Sequence, residues 1–257
     1  MSSIGVDTGG TFTDLVYLDE NGELKIAKKP STPQNFSKGV LDVVSALESS
    51  ETILSGLDHF YHGTTVATNA MITGSGAKIG FITTMGHRDV LPIMRIIGRS
   101  AGKSEAELKQ YSYSNKPSPI VAKSLIKEVD ERIDSKGRVV VAINADSVRT
   151  AIFELLQEEV EAIGVCLLWS FKNKTHEKFI KGMIREMAPE MHVSLSCEIA
   201  PAMKEYERSA TTAVNAHVAP LLTSYLLDLQ SNLKVKGLKS PLYVMQSMGG
   251  SMHAKDA

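Results

Sequence analysis

The sequence predicts an α/β fold, with a mixed sheet that begins with a β-meander and is flanked by helices. The first thirty residues contain short β-branched and apolar runs separated by turn signals, which is typical of consecutive antiparallel strands. From Asn144 onward, segments of helical spacing alternate with short apolar runs, which indicates parallel strands joined by helices. The chain has 257 residues with 43% hydrophobic content, enough for one large or two modest domains with a core.

The β-meander is predicted from three runs and two turns. Ile4 to Val6 is short and apolar, Thr11 to Leu18 is β-branched and aromatic, and Leu24 to Lys28 alternates. A Gly-Gly pair separates the first two runs, and Asp19 to Gly22 reads DENG, a turn signal. The order is therefore strand, tight turn, strand, turn, strand.

Later elements follow from apolar spacing and capping residues. Helices are predicted after an N-cap at Thr32 with Pro33 at the first helical position, over Val66 to Ile72, after Asn144, before Pro189, and from Pro201 to about Leu233 with a bend or break at Pro220. Strands are predicted at Phe60 to Thr64, Ile79 to Thr83, Ile120 to Val129, Val139 to Val141, Ala162 to Trp169, Val193 to Ser196 and Leu242 to Met245. Residues 98–119 are polar and are expected to form a surface excursion.

Composition excludes several function classes. The 28 basic and 29 acidic residues leave a formal charge of −1, so nothing indicates nucleic acid or an anionic membrane as a partner. The sequence shows no secretory signal, and no apolar stretch approaches 18 residues. Cys166 and Cys197 lack metal-binding spacing and are expected to be buried thiols in a reducing compartment. We therefore expect a cytoplasmic protein.

The stretch GVDTGGTFTD, Gly5 to Asp14, carries more polar groups than a hairpin turn requires. A tight turn with glycines exposes backbone N–H groups, which bind anionic oxygens, and the threonine hydroxyls add donors. Asp7 beside a phosphate would repel it unless Mg²⁺ lies between them, so the pattern indicates a metal-nucleotide phosphate site with Asp7 as the metal ligand. A hairpin with polar decoration explains the local pattern equally well. The predicted cofactor-binding residues are Thr8, Gly9, Gly10, Thr11 and Thr13.

HGTTVATNA, from His62 to Ala70, lies at a predicted strand-to-helix junction. Exposed N–H groups at a helix start suit a phosphate, a carboxylate or a reacting carbonyl, so Thr64, Thr65 and Asn69 are candidate ligand-facing residues. His62 is a candidate catalytic base. The alternative is a capped helix start with a structural histidine.

EYERSATTAVNAH places much polarity at helical spacing on a predicted long helix. Glu207 and Arg208 are therefore candidates for contact with substrate or phosphate across a cleft. A solvated face or an interdomain seam explains the same pattern.

DTGGTFTD resembles the opening of the hydantoinase A/5-oxoprolinase family, which includes N-methylhydantoinase and the ATP-binding subunits of acetone and acetophenone carboxylases. Further blocks agree in order along the chain. They are HGTTVATNA, GHRDVLPI, EVDERIDSKG, CLLWSFKNKTHE, EYERSATTAVNAHVAP and YVMQSMGG. The resemblance spans essentially the whole chain, although residues 95–114 resemble the family only loosely.

The resemblance implies the first lobe of an actin-like (ribonuclease H-like) ATPase fold that uses ATP and Mg²⁺. It implies phosphorylation of a substrate oxygen, either in a cyclic amide before ring-opening hydrolysis or in an enolised ketone before carboxylation. Asp7 would organise Mg²⁺, His62 would be a candidate base, and Asp14 would either orient water or tie the hairpin together. A kinase-like or activator protein on the same fold and a non-catalytic lobe are the alternatives.

The resemblance also divides the chain. Residues 1–190 would be the family's N-terminal region, with inserted material at about 86–142, and residues 191–257 would begin the hydantoinase A core. Family members are much longer, so we expect a fragment or split subunit that stops before the second lobe and is inactive alone. The implied partners are the small-molecule substrate and a second hydantoinase or carboxylase subunit in an oligomer, with no nucleic acid and no membrane.

Overall fold

The computed structural model describes residues 1–32, 35–95, 100, 102–110 and 118–256. It contains two compact units, each with its own hydrophobic core. The first unit comprises Met1–Ser75 and Leu221–Ala257, and the second comprises Gly76–Pro220. The predicted division near residue 190 separates two family regions rather than two compact units, and it stays a prediction.

The first unit contains a mixed sheet in the order β12-β11-β4-β1-β2-β3. Its strands are β1 Ser3–Thr8, β2 Phe12–Leu18, β3 Leu24–Pro30, β4 His59–Thr64, β11 Leu242–Met245 and β12 Ser251–His253. β1, β2 and β3 pair antiparallel in sequence, which is the predicted β-meander. β4 pairs parallel with both β1 and β11, so the three central strands run in one direction.

Helices cover one face of this sheet. They are α1 Phe36–Val44, α2 Ser50–Ser55, α3 Val66–Thr73 and the later part of α9 Glu205–Val235. Alternate strand residues such as Ile4, Leu15 and Phe60 join apolar residues of α1 and α9 in one buried cluster. The N-cap of α1 is Asn35, not the predicted Thr32, because the Asn35 side chain accepts from the N–H of Lys38. The predicted role of Pro33 lies outside the described residues.

The second unit contains a parallel sheet in the order β10-β9-β5-β6. Its strands are β5 Ile79–Thr84, β6 Ile126–Val129, β9 Ala162–Cys166 and β10 His192–Leu195, and β7 Arg132–Ile133 with β8 Val139–Val141 forms a separate ribbon. The helices are α4 Val90–Ile93, α5 Glu105–Leu108, α6 Ala145–Gln157, α7 Thr175–Met187, α8 Ser196–Ile199 and the first part of α9. Asn144 caps α6 as predicted, accepting from two backbone N–H groups.

Two expectations need correction, and one strand was not predicted. The long helix α9 is not broken at Pro220 but continues through it. It is followed by a glycine with positive φ, Gly237. The predicted strand from Ile120 is regular only over Ile126–Val129, because a 3₁₀ turn at Lys123–Leu125 precedes it. Sequence reasoning missed β12, which returns antiparallel to β11 through Gly249 and Gly250, both with positive φ.

The predicted surface excursion at residues 98–119 lies partly outside the described residues, and α5 is the helix described within it. None of the helices built from the described residues is long and apolar enough to cross a membrane.

Candidate functional site

The hairpin tip, Thr8 to Phe12, joins β1 to β2 and is held by backbone hydrogen bonds. The Gly9 N–H donates to the Phe12 carbonyl over 3.0 Å, and the Ser31 hydroxyl donates to the Gly9 carbonyl over 2.8 Å. A Cβ on Gly10 would lie 3.4 Å from Asn69 Nδ2, so Gly10 lies next to that side chain. Among the described residues, the N–H groups of Gly10 and Thr11 have no acceptor. The hairpin tip therefore offers two unused backbone donors.

The junction between β4 and α3 lies beside the hairpin tip. The Thr65 N–H donates to the Thr8 carbonyl over 3.2 Å, and Asn69 Nδ2 donates to Thr65 Oγ1 over 3.3 Å. Because β1 and β4 are parallel neighbours, their carboxyl ends meet at one edge of the sheet. The structure thus brings Thr64, Thr65 and Asn69 together with the hairpin tip, as a ligand site would require.

The two aspartates of the opening motif face each other across the hairpin. Asp7 and Asp14 are direct partners in the β1–β2 register and share a face of the sheet. Asp14 forms an ion pair with Lys28 of β3 over 2.8 Å, which favours its role in tying the meander together. Within the described ranges, exposed Asp7 has neither an ion-pair nor a hydrogen-bond partner. Its carboxylate is therefore free for a cation.

Gly63 makes room for the Asp7 carboxylate. It is the register partner of Asp7 on β4, and a Cβ there would lie 3.0 Å from Asp7 Oδ1. Magnesium is commonly held by one or two carboxylates together with phosphate oxygens and water. One free carboxylate beside two free N–H donors fits that arrangement. The described residues contain no group of three or more His, Cys, Asp or Glu side chains that could hold a metal ion.

Three predicted site residues point to the opposite, helix-covered face. Thr8, Thr13 and His62 are each at most 1% exposed. The Thr13 hydroxyl lies 3.0 Å from the Ser31 hydroxyl. Through Ser31, Thr13 supports the hairpin tip from behind, in contrast to the exposed Thr11.

His62 is enclosed in the core of the first unit. Its Nε2 lies 2.6 Å from the hydroxyl of Tyr225, which is 163 positions later in the chain. Burial lowers the pKa of His62 to about 4, and burial also raises the pKa of Tyr225. A neutral, fully buried imidazole favours the structural alternative over a catalytic base.

Glu207 and Arg208 lie in the second unit, near the start of α9. Glu207 forms an ion pair with Arg95 over 2.8 Å. Arg208 is 2% exposed, and its Nη1 donates to the hydroxyl of Ser196 over 2.9 Å and to that of Ser170. The guanidinium also lies over the Phe171 ring. These contacts favour a structural role for Arg208 within its own unit.

Arg208 belongs to a larger buried polar network at the carboxyl edge of the second sheet. Glu177 accepts from the N–H groups of Leu167 and Cys197, each over 2.9 Å, and from the Ser196 hydroxyl over 2.6 Å. Nearby, Glu131 accepts from the Thr84 hydroxyl and pairs with His176 Nδ1 over 2.7 Å. We call Glu131, Ser170, His176, Glu177, Ser196 and Arg208 the buried polar network. It satisfies its carboxylates internally.

Sequence reasoning missed several functional neighbours. Ser31 and Tyr225 come from distant segments, and no local pattern marks them. Gly63 carried a usable signal, because a glycine inside a strand often marks close approach of another group. The buried polar network was missed because five of its members come from three separate motif blocks and Ser196 lies outside them all.

The class of this protein follows from its fold, and its family follows from its sequence. The fold is that of the first lobe of an actin-like ATPase, as the mixed sheet with its opening meander predicts. The profile of the hydantoinase/oxoprolinase N-terminal region matches residues 3–188, and the hydantoinase/oxoprolinase profile matches residues 208–257. The chain belongs to the hydantoinase/oxoprolinase family.

Curated relatives extend beyond the chain. The acetophenone carboxylase gamma subunit of Aromatoleum aromaticum is 36% identical over 98% of this chain, and the caprolactamase alpha subunit of Pseudomonas jessenii is 31% identical over 96%. The matched part is 36% of the first relative and 35% of the second. This chain thus spans little more than a third of their length.

Two solved structures are similar to this one. The nucleotide-free structure of acetone carboxylase, from work on ATP-dependent acetone carboxylation, superposes with a TM-score of 0.89 at 25% identity. The match covers 98% of this chain and 37% of that one. The ATP-dependent caprolactamase of Pseudomonas jessenii gives 0.82 at 30% identity, over 97% and 36%. The chain is homologous to the matching region of ATP-dependent enzymes.

Proposed function

We propose that the first unit is the phosphate-binding half of an ATP-dependent enzyme that phosphorylates a carbonyl oxygen of a cyclic amide. The observation that carries the proposal is the free Asp7 carboxylate on the strand that leads into the hairpin tip, where the N–H groups of Gly10 and Thr11 are unused. The two relatives described above, a caprolactamase subunit and an acetophenone carboxylase subunit, are both named for carbonyl compounds.

The residues of the first unit would act by positioning. The N–H groups of Gly10 and Thr11 would donate to phosphate oxygens, while Thr65 and Asn69 would bound the site at the neighbouring junction. Asp7 would hold Mg²⁺, which when bound neutralises charge on the phosphate oxygens. The remaining nucleotide contacts would come from other parts of the complete protein.

The proposed reaction has three steps, which are phosphoryl transfer, ring opening and release of phosphate. The amide oxygen takes the γ-phosphoryl group, and ADP leaves with the electron pair of the broken P–O bond. Water adds to the activated carbon, and the ring C–N bond breaks to give an amine and an acyl phosphate. A second water releases phosphate and leaves a carboxylate.

A ketone is the second candidate substrate, because the acetophenone carboxylase gamma subunit is 36% identical to this chain. Phosphorylation of the enolised ketone oxygen would then precede carboxylation. A partner subunit and an oligomeric assembly belong to either version, and two buried thiols suit a cytoplasmic location. A non-catalytic lobe predicts no Mg·ATP binding at all.

The experiment measures ADP release by the complete protein with Mg·ATP and a series of lactams, hydantoins, or ketones with bicarbonate. The proposal predicts stimulation by one or more cyclic amides. Stimulation only by ketones with bicarbonate would select the second candidate. Absence of Mg·ATP binding, or ATP hydrolysis unaffected by every carbonyl compound, would contradict the proposal.

A further inference from the structure

The six-stranded sheet of the first unit has one face covered by helices and one face that no described residue of this unit covers. We call the uncovered side the open face. Register pairing arranges its side chains in rows that cross the strands. One row is Ile26, Val16, Gly5, Tyr61, Tyr243 and His253. The next is Lys28, Asp14, Asp7 and Gly63, and Met245 lines the same depression as Gly63.

Large apolar side chains on the open face remain accessible to water. Ile26 is 76% exposed, Leu24 64%, Met245 49% and Val16 43%. Isolated exposed apolar residues are normal, but a contiguous apolar set on one sheet face marks an interaction surface. The set continues into Tyr61, whose ring packs against that of Tyr243 at 5.6 Å.

The centre of the open face is a trough. Gly5 and Gly63 have no side chains on neighbouring central strands, and no atom lies within 4 Å of a Cβ built on Gly5. The trough is an open depression of about 620 Å³, with Val16, Tyr61 and Met245 at its sides and Asp7 and Asp14 also in its lining. Such a depression accepts the ridge of a packed helix.

Parallel strands are a second indication that something covers this face. Sheets with parallel central strands are normally covered on both faces, because their connecting and flanking helices bury both sides. Here β1, β4 and β11 run parallel, yet α1 and α9 contribute to the core on one face only.

We propose that the open face docks an amphipathic helix supplied by the remainder of the complete protein. Relatives nearly three times as long as this chain contain ample polypeptide for such a helix. Its apolar stripe would cover Val16, Tyr61 and Met245, with a ridge in the trough and no acidic side chain near Asp7.

A second copy of this chain fits the open face poorly. In a twofold-symmetric pair, the same patch meets itself, so the acidic row would pack close to its own copy. The row carries Asp7 and Asp14 but only one cation, Lys28. Burying a like-charged pair without compensation is costly.

Thiol labelling tests the proposal. Cys166 and Cys197 are 3% and 1% exposed, and burial raises the pKa of both, that of Cys197 to about 12. An introduced thiol is therefore the reactive one. The experiment compares maleimide labelling of Val16→Cys in the 257-residue chain and in the complete protein, with peptide-level mass spectrometry. Phe153→Cys on α6, 55% exposed, is the matched control.

The proposal predicts rapid labelling of both variants in the 257-residue chain. In the complete protein, labelling of Val16→Cys should slow at least about tenfold while Phe153→Cys is unchanged. Equal labelling of Val16→Cys in both forms would overturn the proposal. Concentration-dependent protection in the 257-residue chain would overturn it in favour of a second copy. Labelling is measured without nucleotide, so its outcome does not depend on whether the proposed function is correct.

Discussion

The hairpin tip and the buried polar network place similar residue types in opposite environments. At the hairpin tip, the Asp7 carboxylate is exposed and the N–H groups of Gly10 and Thr11 lack acceptors among the described residues. In the buried polar network, Glu177 is fully buried and accepts three hydrogen bonds. Motif carboxylates without partners indicate a ligand site, whereas carboxylates whose oxygens are all paired indicate structure.

The largest expected effect tests the structural side of this comparison. Glu177→Ala should lower the free energy of unfolding by about 3–5 kcal/mol, because two buried N–H groups and one hydroxyl lose their acceptor. Urea unfolding followed by fluorescence of the single tryptophan, Trp169, reports on the same unit. The control Glu198→Ala removes a partly exposed pair with Lys181 and should cost less than about 1 kcal/mol. Equal losses of unfolding free energy in the two variants would contradict the structural role assigned to Glu177.

His62 provides the next test, because sequence reasoning made it a catalytic candidate and the structure buries it. Its pKa falls from the ordinary 6.5 to about 4 in the folded chain. The unfolded state therefore binds more protons between these values, and stability is lost as the pH falls from about 6.5 towards 4.

Wild type should lose on the order of 3 kcal/mol more stability than His62→Gln between pH 7 and pH 4. The measurement is urea unfolding followed by far-ultraviolet circular dichroism at several pH values. Parallel pH profiles for the two proteins would show that His62 is not buried as a neutral side chain.

These assignments show what the sequence could and could not predict. The meander was predictable because its first turn contains a Gly-Gly pair and its second turn reads DENG. The start of α6 was predictable because its N-cap, Asn144, is adjacent in sequence. β12 was missed because it is only three residues long, Ser251–His253, and follows two glycines with positive φ. The burial of His62 depends on Tyr225 from a distant helix, and that of Arg208 on Ser170 and Ser196. Such tertiary contacts leave no local pattern.

Gly63 tests whether the position of the Asp7 carboxylate matters for binding of Mg·ATP. Gly63→Ala should weaken Mg·ATP binding by the complete protein roughly fivefold, about 1 kcal/mol, because the new Cβ would displace the Asp7 carboxylate. Gly182→Ala, in an open position on α7, is the control and should leave affinity unchanged. Calorimetric titration measures both. Unchanged affinity in Gly63→Ala would mean that the position of Asp7 is unimportant.

The most direct test of the central claim is the affinity of the complete protein for Mg·ATP when Asp7 is changed to Asn. This substitution keeps the shape of the side chain and removes its charge. The account predicts a loss of about 2–5 kcal/mol, at least about thirtyfold, with unfolding free energy unchanged. Asp14→Asn, which loses only the exposed pair with Lys28, should stay within about threefold of wild type. Equal Mg·ATP affinity in Asp7→Asn and wild type would contradict the assignment of the hairpin tip as a metal-phosphate site.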